Sequence, residues 1–334
     1  MNNKTVLVTG AAGFLGSHLC DSLLARGHRV IGVDNLSYGS LDNLVEASRN
    51  PRFEFHKADV TDERHIRQVA QGIDAVAHLA ASKIPRYASA MQTLLINSQG
   101  SWNLLKIAAE QKAKFVITST SDVYGRNPQV PFSETSESVL GPSTVPRWAY
   151  AVSKLFDEHL AFAFGEEYGI PVTILRIFGS YGPRQHLSWW GGPQSVFIDA
   201  ILRDHVIPIH GDGNQTRSFT FVSDTVSGIV AALEHDTANN QIINVGSTHE
   251  ICIVDLAKLI ARLCGAPESL RLEFVPYKKI SGRDYEDVMR RIPDVRKAKE
   301  LFGFEAKVSL EEGLRRTIEW QRSRTAVALE VGAQ

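Results

Sequence analysis

The sequence lacks a long uninterrupted apolar segment. No apolar run approaches the roughly 20 residues that a membrane-spanning helix needs. The first residues lead directly into a predicted strand rather than into a signal peptide. We therefore expect no membrane partner and a cytoplasmic location.

An excess of charge of either sign is also missing. The chain of 334 residues has 36 lysines and arginines against 37 aspartates and glutamates, and its formal net charge is −1. This balance gives no support for a nucleic-acid partner. The length and an apolar content of 43% are sufficient for a large core and two lobes.

Cysteine is scarce, and neither cysteine nor histidine follows a metal-binding pattern. Cys20, Cys252 and Cys264 are scattered and odd in number, which fits free thiols in a reducing cytoplasm. The eleven histidines show no short ligand spacing. We expect no bound metal, and the sequence shows no internal repeat.

What the sequence does contain is a glycine-rich turn between a predicted strand and a predicted helix. The apolar run 6–8 ends near Gly10, Gly13 and Gly16 follow at three-residue spacing, and residues 14–26 have a helical period. Glycines let the backbone approach a diphosphate closely, because any Cβ there would clash. The free amides at the start of the helix then face that diphosphate. The pattern predicts a dinucleotide site.

A carboxylate follows the next predicted strand. Asp34 has close to the spacing expected for an acid that binds a ribose 2′-hydroxyl. Up to about residue 178, apolar runs alternate with helical segments, which predicts an α/β fold with a Rossmann-type doubly wound parallel sheet. The predicted strands are 4–9, 29–33, 52–56, 74–80, 114–120 and 171–178. The clearest predicted helices between them are 14–26, 62–71, 90–111 and 148–168.

The pattern changes after residue 178, where loops rich in glycine and proline separate the periodic segments. The segments predicted here are a helix at 194–204, a strand at 218–222, a helix near 223–235 and a last helix from 309 to about 323. We therefore predict three parts: a dinucleotide-binding domain at 1–178 to which 218–246 returns, a smaller α/β substrate lobe at 179–324, and a tail at 325–334.

Tyr150 and Lys154 open the predicted helix 148–168. Their spacing of four residues places the phenol and the ammonium on one helix face. A free tyrosine, with a pKa of about 10, is a poor base at neutral pH. A nearby ammonium together with a cationic nicotinamide ring would lower that pKa, so that the phenol could take a proton from a sugar hydroxyl while hydride leaves the same carbon. The alternative is a helix surface pair.

Hydroxyl side chains end the predicted strand 114–120. Thr120 could hydrogen-bond the substrate oxygen and share its proton with Tyr150. The alternative is that these hydroxyls satisfy backbone groups at the strand end. We favour the catalytic role for Thr120, whereas for Ser119 the backbone role is at least as good.

Taken together, these features resemble the extended short-chain dehydrogenase/reductase family, in its nucleotide-sugar epimerase, dehydratase and decarboxylase branch. The resemblance implies tightly held NAD, oxidation of the sugar C4 hydroxyl, return of the hydride, and a homodimer through helices 90–111 and 148–168. The segments that carry it are Gly10-x-x-Gly13-x-x-Gly16, Asp34, Asp59–Val60, His78–Ala81, Asn97, Thr120–Gly125, Tyr150-x-x-x-Lys154, Arg176–Arg184 and Gly211–Phe219.

The resemblance also implies roles for individual residues. Tyr150 is the expected base, Lys154 the nicotinamide-ribose ligand and Thr120 the proton partner. Asp34 is the expected adenosine-ribose ligand and favours NAD over NADP. The implied cofactor-binding residues are Gly10, Gly13, Phe14, Leu15, Gly16, Asp34, Asn35, Asp59, Val60, Leu79, Ala80, Ala81, Asn97, Tyr150 and Lys154.

The residues after Thr120 bear on the reaction. In 4,6-dehydratases the catalytic threonine is followed by Asp-Glu, and Ser121 cannot serve as that acid, so a dehydratase is disfavoured. UDP-glucuronate decarboxylases resemble Thr-Ser-Glu with a late arginine in an Arg-x-Pro-Asp setting. This chain has Thr120-Ser121-Asp122 and Arg291-Ile292-Pro293-Asp294, one methylene short at the acid. A decarboxylase therefore stays as the alternative, with Asp122 as a catalytic candidate.

Arg217 and Arg291 are expected to meet the nucleotide diphosphate, which suits a guanidinium fork. The segments around Arg184 and Arg217 look most like those of 4-epimerases. Our interpretation of the sequence is therefore an NAD-dependent UDP-hexose or UDP-hexuronate 4-epimerase that acts through a transient 4-keto intermediate. A non-catalytic NAD-binding module is a further rival, against which the intact catalytic residues argue.

Gly179 departs from the family pattern, because many relatives have asparagine there. The lack of an asparagine side chain removes an amide contact and is expected to open space beside the sugar. We therefore hypothesise that the substrate sugar carries a charged substituent at C5. Arg86 and Arg184 are candidate partners for such a carboxylate, or else solvated surface residues. The loop 189–193, with two tryptophans, either stacks on a base or sugar or packs the lobe interface.

Overall fold

The structure is a computed structural model that describes residues 3–83, 89–266, 270–281 and 286–331. Its strands are β1 (Thr5–Thr9), β2 (Arg29–Asp34), β3 (Phe53–Lys57), β4 (Ala75–His78), β5 (Lys114–Thr120), β6 (Val172–Ile177), β7 (Ser180–Tyr181), β8 (Ile207–His210), β9 (Thr216–Ser218), β10 (Thr220–Phe221), β11 (Gln241–Val245), β12 (Glu250–Cys252), β13 (Leu272–Val275) and β14 (Arg290–Arg291). Its helices are α1 (Phe14–Ala25), α2 (Val45–Ser48), α3 (Glu63–Val69), α4 (Ala90–Gln111), α5 (Trp148–Tyr168), α6 (Pro193–Leu202), α7 (Val222–Glu234), α8 (Ile253–Cys264), α9 (Tyr277–Ser281), α10 (Arg296–Phe302) and α11 (Leu310–Val331).

Seven strands form one parallel sheet in the order β11-β6-β5-β4-β1-β2-β3. The register places Val8 of β1 opposite Gly32 of β2 on one side and Ala77 of β4 on the other. The predicted fold class is confirmed, and the predicted strands of the first half agree with the observed ones to within about two residues at most ends. The chain runs outward in opposite directions from β1 and β4, so ligands are expected at the carboxyl ends of these two strands.

Local sequence explains the first βαβ unit. The apolar run of β1 is buried on both faces, as in a strand covered by helices on each side. Helix α1 buries Leu19, Cys20 and Leu23 against the sheet, and Gly27 follows its end with φ +86°, a conformation that favours glycine. These contacts fix the start of α1 at the edge where the strands end.

The second half returns to the sheet and also covers it. Strand β11 pairs with β6 at the sheet edge, whereas the predicted strand 218–222 is in fact two short strands, β9 and β10, on either side of Phe219. Strand β9 pairs with β14 and places Arg217 opposite Arg291. Helix α11 continues to Val331, farther than the predicted end near residue 323. The proposed domain boundary at residue 178 stays a prediction.

Two further findings concern membrane-spanning helices and metal-binding side chains. In the part of the chain that the structure describes, no helix has the length and apolar character needed to span a membrane. Across the same ranges, no group of three or more metal-ligating side chains is close enough to hold an ion.

Candidate active site

A cavity of about 1100 Å³ lies at the carboxyl ends of the central strands and is lined by both halves of the chain. Most of the predicted site residues contribute to its wall. They are Gly10, Gly13, Phe14, Leu15, Gly16, Asp34, Asn35, Asp59, Val60, Leu79, Ala80, Ala81, Thr120, Asp122, Tyr150, Lys154, Gly179, Arg184, Arg217 and Arg291.

Two predicted site residues are not among these. Asn97 is buried beside the cavity, where its side chain accepts from the Ser82 amide (2.7 Å) and donates to the Ser82 carbonyl and to Ser153 Oγ (2.9 Å). It therefore fixes the chain after β4 against α5 rather than lining the wall. Arg86 lies outside the described residues.

The glycine-rich turn forms a cradle that side chains would fill. Gly10 has φ +70°, and a Cβ on Gly16 would overlap the Gly10 carbonyl group. A Cβ on Gly13 would lie 3.0 Å from the Gly10 carbonyl oxygen. Helix α1 has no side-chain cap at Gly13, so the amides of its first turn keep their capacity to bind an anion. This combination fits a dinucleotide diphosphate.

Asp34 and Asp59 lie at the far end of the cradle. Asp34 is 9% exposed and accepts from the amides of Ala12 (3.1 Å) and Leu36 (2.8 Å). Burial raises the pKa of Asp34, although these backbone hydrogen bonds oppose the shift. Asn35 donates to Asp59 over 2.7 Å. The carboxylates are thus held in fixed positions where they can accept from ribose hydroxyls.

Thr120 and Tyr150 meet where β5 ends against α5. Thr120 Oγ1 accepts from the Asp122 amide at 3.2 Å, and Thr120 is also a hydrogen-bond partner of Tyr150. Ser119 instead donates to the buried Glu158, which pairs with Arg176. The hydroxyl of Thr120 therefore shares the cavity with the phenol, whereas that of Ser119 has a structural partner.

The surroundings of Tyr150 differ from the expectation for an activated base. Lys154 pairs with Asp157 at 3.2 Å, and both side chains are buried. Burial raises the pKa of Tyr150, the charges of Asp122 and Asp157 raise it further, and only the Thr120 hydrogen bond lowers it. The protein's own groups therefore disfavour the phenolate, so its formation would depend on the cationic nicotinamide ring that the prediction combined with Lys154.

A row of alternating charges lies beside Thr120 and Tyr150. Asp122 Oδ1 accepts from Arg147 Nη2 at 3.2 Å and also from Arg291. Asp287 accepts from Arg217 at 2.8 Å, and Arg147 Nη1 lies 3.4 Å from the same oxygen. All five residues line the cavity. The cluster contains three guanidinium groups and two carboxylates, so it carries one net positive charge.

The arginines keep both acids ionised. Burial raises the pKa of Asp122, but the charges of Arg291, Arg147 and Arg217 outweigh it and hold that pKa below its usual range. The pKa of Asp287 is lowered in the same way against burial, with Arg217 as the main opposing cause. Burial also lowers the pKa of Arg217, to about 10. At neutral pH the cluster can bind anions but has no carboxylic acid to donate a proton.

Sequence reasoning missed two members of this cluster. Arg147 precedes Tyr150 by three residues, so the two share one side of the start of α5, and that spacing was a usable signal. Asp287 had no local signal, since it reaches the cavity only through the strand pairing that brings β14 to β9.

Two predicted residues of the sugar end have close neighbours within the chain. Arg184 lines the cavity, but its guanidinium pairs with Asp21 of α1 at 2.7 Å, which disfavours it as a carboxylate partner. At Gly179, where φ is +22°, a Cβ would lie 2.5 Å from the Ser218 carbonyl oxygen. The glycine therefore permits close approach of the chain at Ser218, and the open space beside the sugar stays a prediction.

The tryptophan loop packs against residues from both halves of the chain. Trp189 stacks on His210 with ring centroids 3.6 Å apart, and Trp190 contacts Tyr38, from the loop after β2, at 4.4 Å. The loop therefore joins the two sides of the cavity, and both tryptophans also contribute to its wall.

Similarity to known proteins is found over nearly the whole chain. The family model of GDP-mannose 4,6 dehydratase matches residues 7–317. A UDP-N-acetyl-alpha-D-glucosaminuronate decarboxylase of Bacillus cytotoxicus is 36% identical over 96% of this chain and 98% of its own. UDP-glucuronic acid decarboxylase 1 of Arabidopsis thaliana is 37% identical over 96% of this chain and 70% of its own.

A similar solved structure is the UDP-glucuronic acid 4-epimerase of Bacillus cereus, in complex with UDP-glucuronic acid and NAD. It superposes with a TM-score of 0.86 at 31% identity and covers 96% of this chain and 99% of its own. The fold is thus shared with an epimerase, and sequence similarity over most of the chain extends to two decarboxylases.

Proposed function

The chain belongs to the nucleotide-sugar epimerase/dehydratase branch of the extended short-chain dehydrogenase/reductase family, and on that premise we propose that it is an NAD-dependent UDP-hexuronate decarboxylase. The observation that carries the proposal is the contact of Asp122 with Arg291 beside Thr120 and Tyr150. Asp122 and Arg291 correspond to the acid and the late arginine of the decarboxylase pattern, with the acid one methylene shorter.

NAD is the cofactor of this family, and when bound it accepts a hydride from the sugar and later returns it. The residues that would hold it are those of the cradle, with Gly10, Gly13 and Gly16 at the diphosphate and Asp34 at the adenosine ribose. Lys154 would bind the nicotinamide ribose. Its pairing with Asp157 supports this role by holding the ammonium in place within the protein.

The hydroxyls of Tyr150 and Thr120 act on the C4 oxygen of the sugar. Tyr150 takes the proton from the C4 hydroxyl as the ketone forms, and Thr120 hydrogen-bonds the same oxygen. A ketone at C4 makes a C5 carboxylate a β-keto acid. The bond from C5 to the carboxyl carbon can then break, because its electron pair moves into the C4 carbonyl while carbon dioxide leaves.

The enolate oxygen formed in that step lies at C4, within reach of the same two hydroxyls. Tyr150, protonated in the first step, can donate to this oxygen and stabilise it. A proton from solvent is then added at C5, and return to C4 of the hydride removed in the first step yields a UDP-pentose. The chain's hydroxyl pair thus serves both the oxidation and the loss of carbon dioxide.

Arg291 supports an anionic substrate at the sugar end. Its Nε is buried and has no hydrogen-bond partner among the residues described, so the guanidinium keeps a donor while it pairs with Asp122. A carboxylate or phosphate oxygen can accept from that donor. Asp122, held as a carboxylate, can only accept and suits a sugar hydroxyl.

The test is product analysis without added NAD. Purified protein is incubated with UDP-glucuronate, UDP-N-acetylglucosaminuronate and UDP-glucose, and products are identified by mass and proton NMR. We expect carbon dioxide and a UDP-pentose from at least one hexuronate, and no net change of UDP-glucose. A hexuronate product of unchanged mass, or no turnover of either hexuronate, would contradict the proposal.

A UDP-sugar 4-epimerase, the interpretation favoured by the sequence motifs, is the second candidate. The observation in its favour is the size of the cavity, about 1100 Å³, which leaves room for a keto sugar to rotate and accept hydride on its other face. The similarity to the Bacillus cereus epimerase supports it as well. The same product analysis separates the two, since an epimer retains the mass of its substrate.

A homodimer through α4 and α5 is a further part of the proposal. These helices pack side by side and expose large apolar side chains, among them Met91, Leu95 and Phe156, which are at least 50% exposed. Such a surface is unusual for a monomer. Light scattering should give twice the chain mass, and Phe156→Glu should reduce it to the monomer, whereas a monomeric wild type would refute this assembly.

A further inference from the structure

Arg147 is the one arginine of the charge cluster that contacts both of its acids. Its Nη2 donates to Asp122 Oδ1 at 3.2 Å, and its Nη1 lies 3.4 Å from Asp287 Oδ1. Each acid also pairs with a second arginine, Arg291 for Asp122 and Arg217 for Asp287. The order is therefore Arg291, Asp122, Arg147, Asp287, Arg217, with Arg147 in the middle of the row.

The place of Arg147 in the fold gives it a fixed position. Its side chain is 7% exposed, its Nη1 donates to the Glu286 carbonyl at 2.7 Å, and its guanidinium lies 4.9 Å from the Trp148 ring centroid. It directly precedes α5, one turn before Tyr150. The guanidinium is thus anchored to the helix that carries the catalytic phenol.

Asp122, in contrast, is attached to the strand that carries Thr120. It follows β5 in a short turn, and its side chain is 26% exposed. Its carboxylate therefore needs ion-pair partners to stay in one position. Arg147 and Arg291 are such partners, and both donate to the same oxygen, Asp122 Oδ1.

We propose that Arg147 is a positioning residue that holds Asp122 beside Thr120 and Tyr150 and links it, through Asp287, to the diphosphate-binding Arg217. This inference rests on the proposed function for the roles of Asp122 and Arg217. Arg147 thereby connects the part of the cavity that would hold the sugar with the part that would hold the nucleotide of the substrate, so that both parts are ordered together.

The alternative is that Arg147 only anchors the segment around Glu286. That role would affect folding but not the charge state of Asp122. The groups that face Asp122 are Arg291 from β14, Arg217 from β9, Arg147 and Tyr150 from α5, and Asp287 from the segment before β14. Removal of one positive charge from this set raises the pKa of the acid, whereas the loss of an anchor does not.

The test uses the variants Arg147→Met and Arg147→Lys in the full-length protein. For Arg147→Met we expect kcat to fall roughly 10- to 100-fold with a smaller change in KM, and the acid limb of the kcat–pH profile to move to higher pH. The affinity for UDP should fall roughly tenfold, because the cluster loses its net positive charge and Asp287 is left to hold Arg217 alone.

Arg147→Lys keeps the charge but loses the planar fork that bridges two acids. We expect its acid limb and its UDP affinity to stay near those of the wild type, while kcat falls several-fold. This variant keeps the test decisive if Arg147→Met does not fold. If both variants have a kcat within twofold of the wild type, or if the acid limb of a folded Arg147→Met does not move, the inference is overturned.

Arg126→Met is the matched control. Arg126 pairs with Glu286 at 3.3 Å and its side chain is 46% exposed, and it is absent from the wall of the cavity described here. Loss of this arginine removes the same charge from the same neighbourhood without touching Asp122. Its kcat, acid limb and UDP affinity should match the wild type.

The measurements separate this inference from the proposed function. UDP binding requires no turnover, and the kinetic profile is taken with whichever sugar nucleotide the wild type converts. A wild type that epimerises but does not decarboxylate would refute the proposed function, while a shifted acid limb in Arg147→Met would still support the role of Arg147.

Discussion

The two ends of the cavity are built by different means. At the cofactor end, the wall is largely backbone: three glycines and the uncapped amides of α1, together with the carboxylates of Asp34 and Asp59. At the substrate end, where the sugar and its nucleotide would lie, the wall is a row of five charged side chains from four segments of the chain. Thr120 and Tyr150 lie between the two ends.

This difference shows how each end tolerates change. A backbone site is fixed by local conformation, so a single added Cβ disrupts it, whereas exchange of a peripheral side chain has little effect. A side-chain cluster is fixed by mutual pairing, so removal of one charge changes the position and protonation of its neighbours. Variants at each end test that contrast, and they are given in order of decreasing effect.

Tyr150→Phe removes the hydroxyl at the junction of the two ends. We expect kcat to fall roughly a thousandfold, because the variant lacks the phenol that takes the C4 proton, while bound NAD and the melting temperature stay near wild-type values. Turnover and cofactor content are measured on the same preparation. Tyr168→Phe, on the exposed side of α5, is the control and should be fully active.

An active Tyr150→Phe enzyme would mean that the proton leaves by another route. The cavity would still have a backbone end and a charged end, but the hydroxyls of Thr120 and Tyr150 would not be the catalytic groups between them.

Gly16→Ala tests the backbone end. Its Cβ would overlap the Gly10 carbonyl group, and such overpacking costs about 3 kcal/mol, or roughly a hundredfold weaker NAD binding. The dissociation constant is measured by titration of the apoprotein. Gly72→Ala is the control, because Gly72 has φ +66° but no atom within 4 Å of the added Cβ. If Gly16→Ala retains NAD as the wild type does, the cradle is not the cofactor site.

The sequence predicted the backbone end almost completely. Glycine spacing, the strand before it and the acid after the next strand are all local patterns, and the residues they marked line one cavity. The parallel sheet followed from the same alternation of strands and helices. The fold class and the cofactor were therefore accessible before any three-dimensional information.

The charged end was much less accessible. Arg217 and Arg291 were expected from their motifs, but Asp287 enters through the pairing of two strands more than seventy residues apart in the chain. The partner of Arg184, Asp21, is likewise distant in sequence. Side chains that meet only through tertiary structure leave no periodic signal, and so the ion pair between Arg184 and Asp21 was not expected.

Asp34→Asn weakens the cofactor end without a steric clash. The amide keeps the shape of the side chain but loses a charged acceptor, which costs about 1.5 kcal/mol and gives roughly tenfold weaker NAD binding. Affinity for NADP should fall less, because the negative charge no longer repels the 2′-phosphate. Affinities for both dinucleotides are measured by the same titration. An unchanged preference for NAD would remove Asp34 from the ribose site.

As the pH falls, Asp34 at the cofactor end should lose its charge before Asp122 in the charge cluster does. Burial raises the pKa of Asp34, so its carboxylate is protonated earlier than usual as pH falls. The pKa of Asp122 is lowered by its arginines against the effect of burial, so the charge of that cluster persists as pH falls past the usual value for aspartate. Any stability or affinity that depends on ionised Asp122 is therefore lost only at still lower pH.

As the pH is lowered from 7, we therefore expect NAD affinity to fall before UDP-glucose affinity does. Titration calorimetry at successive pH values measures the two affinities. In Asp34→Asn the pH dependence of NAD binding should disappear. Loss of UDP-glucose affinity ahead of NAD affinity would reverse the assignment of the two ends.

In the proposed reaction, hydride leaves C4 of a hexuronate and returns there after carbon dioxide is lost. This is tested most directly with UDP-glucuronate or UDP-N-acetylglucosaminuronate carrying deuterium at C4, in ordinary water and without added NAD. We expect a UDP-pentose that retains the deuterium at C4 and has gained one solvent hydrogen at C5. A product of unchanged carbon count, or a pentose that has lost the label to solvent, would contradict it.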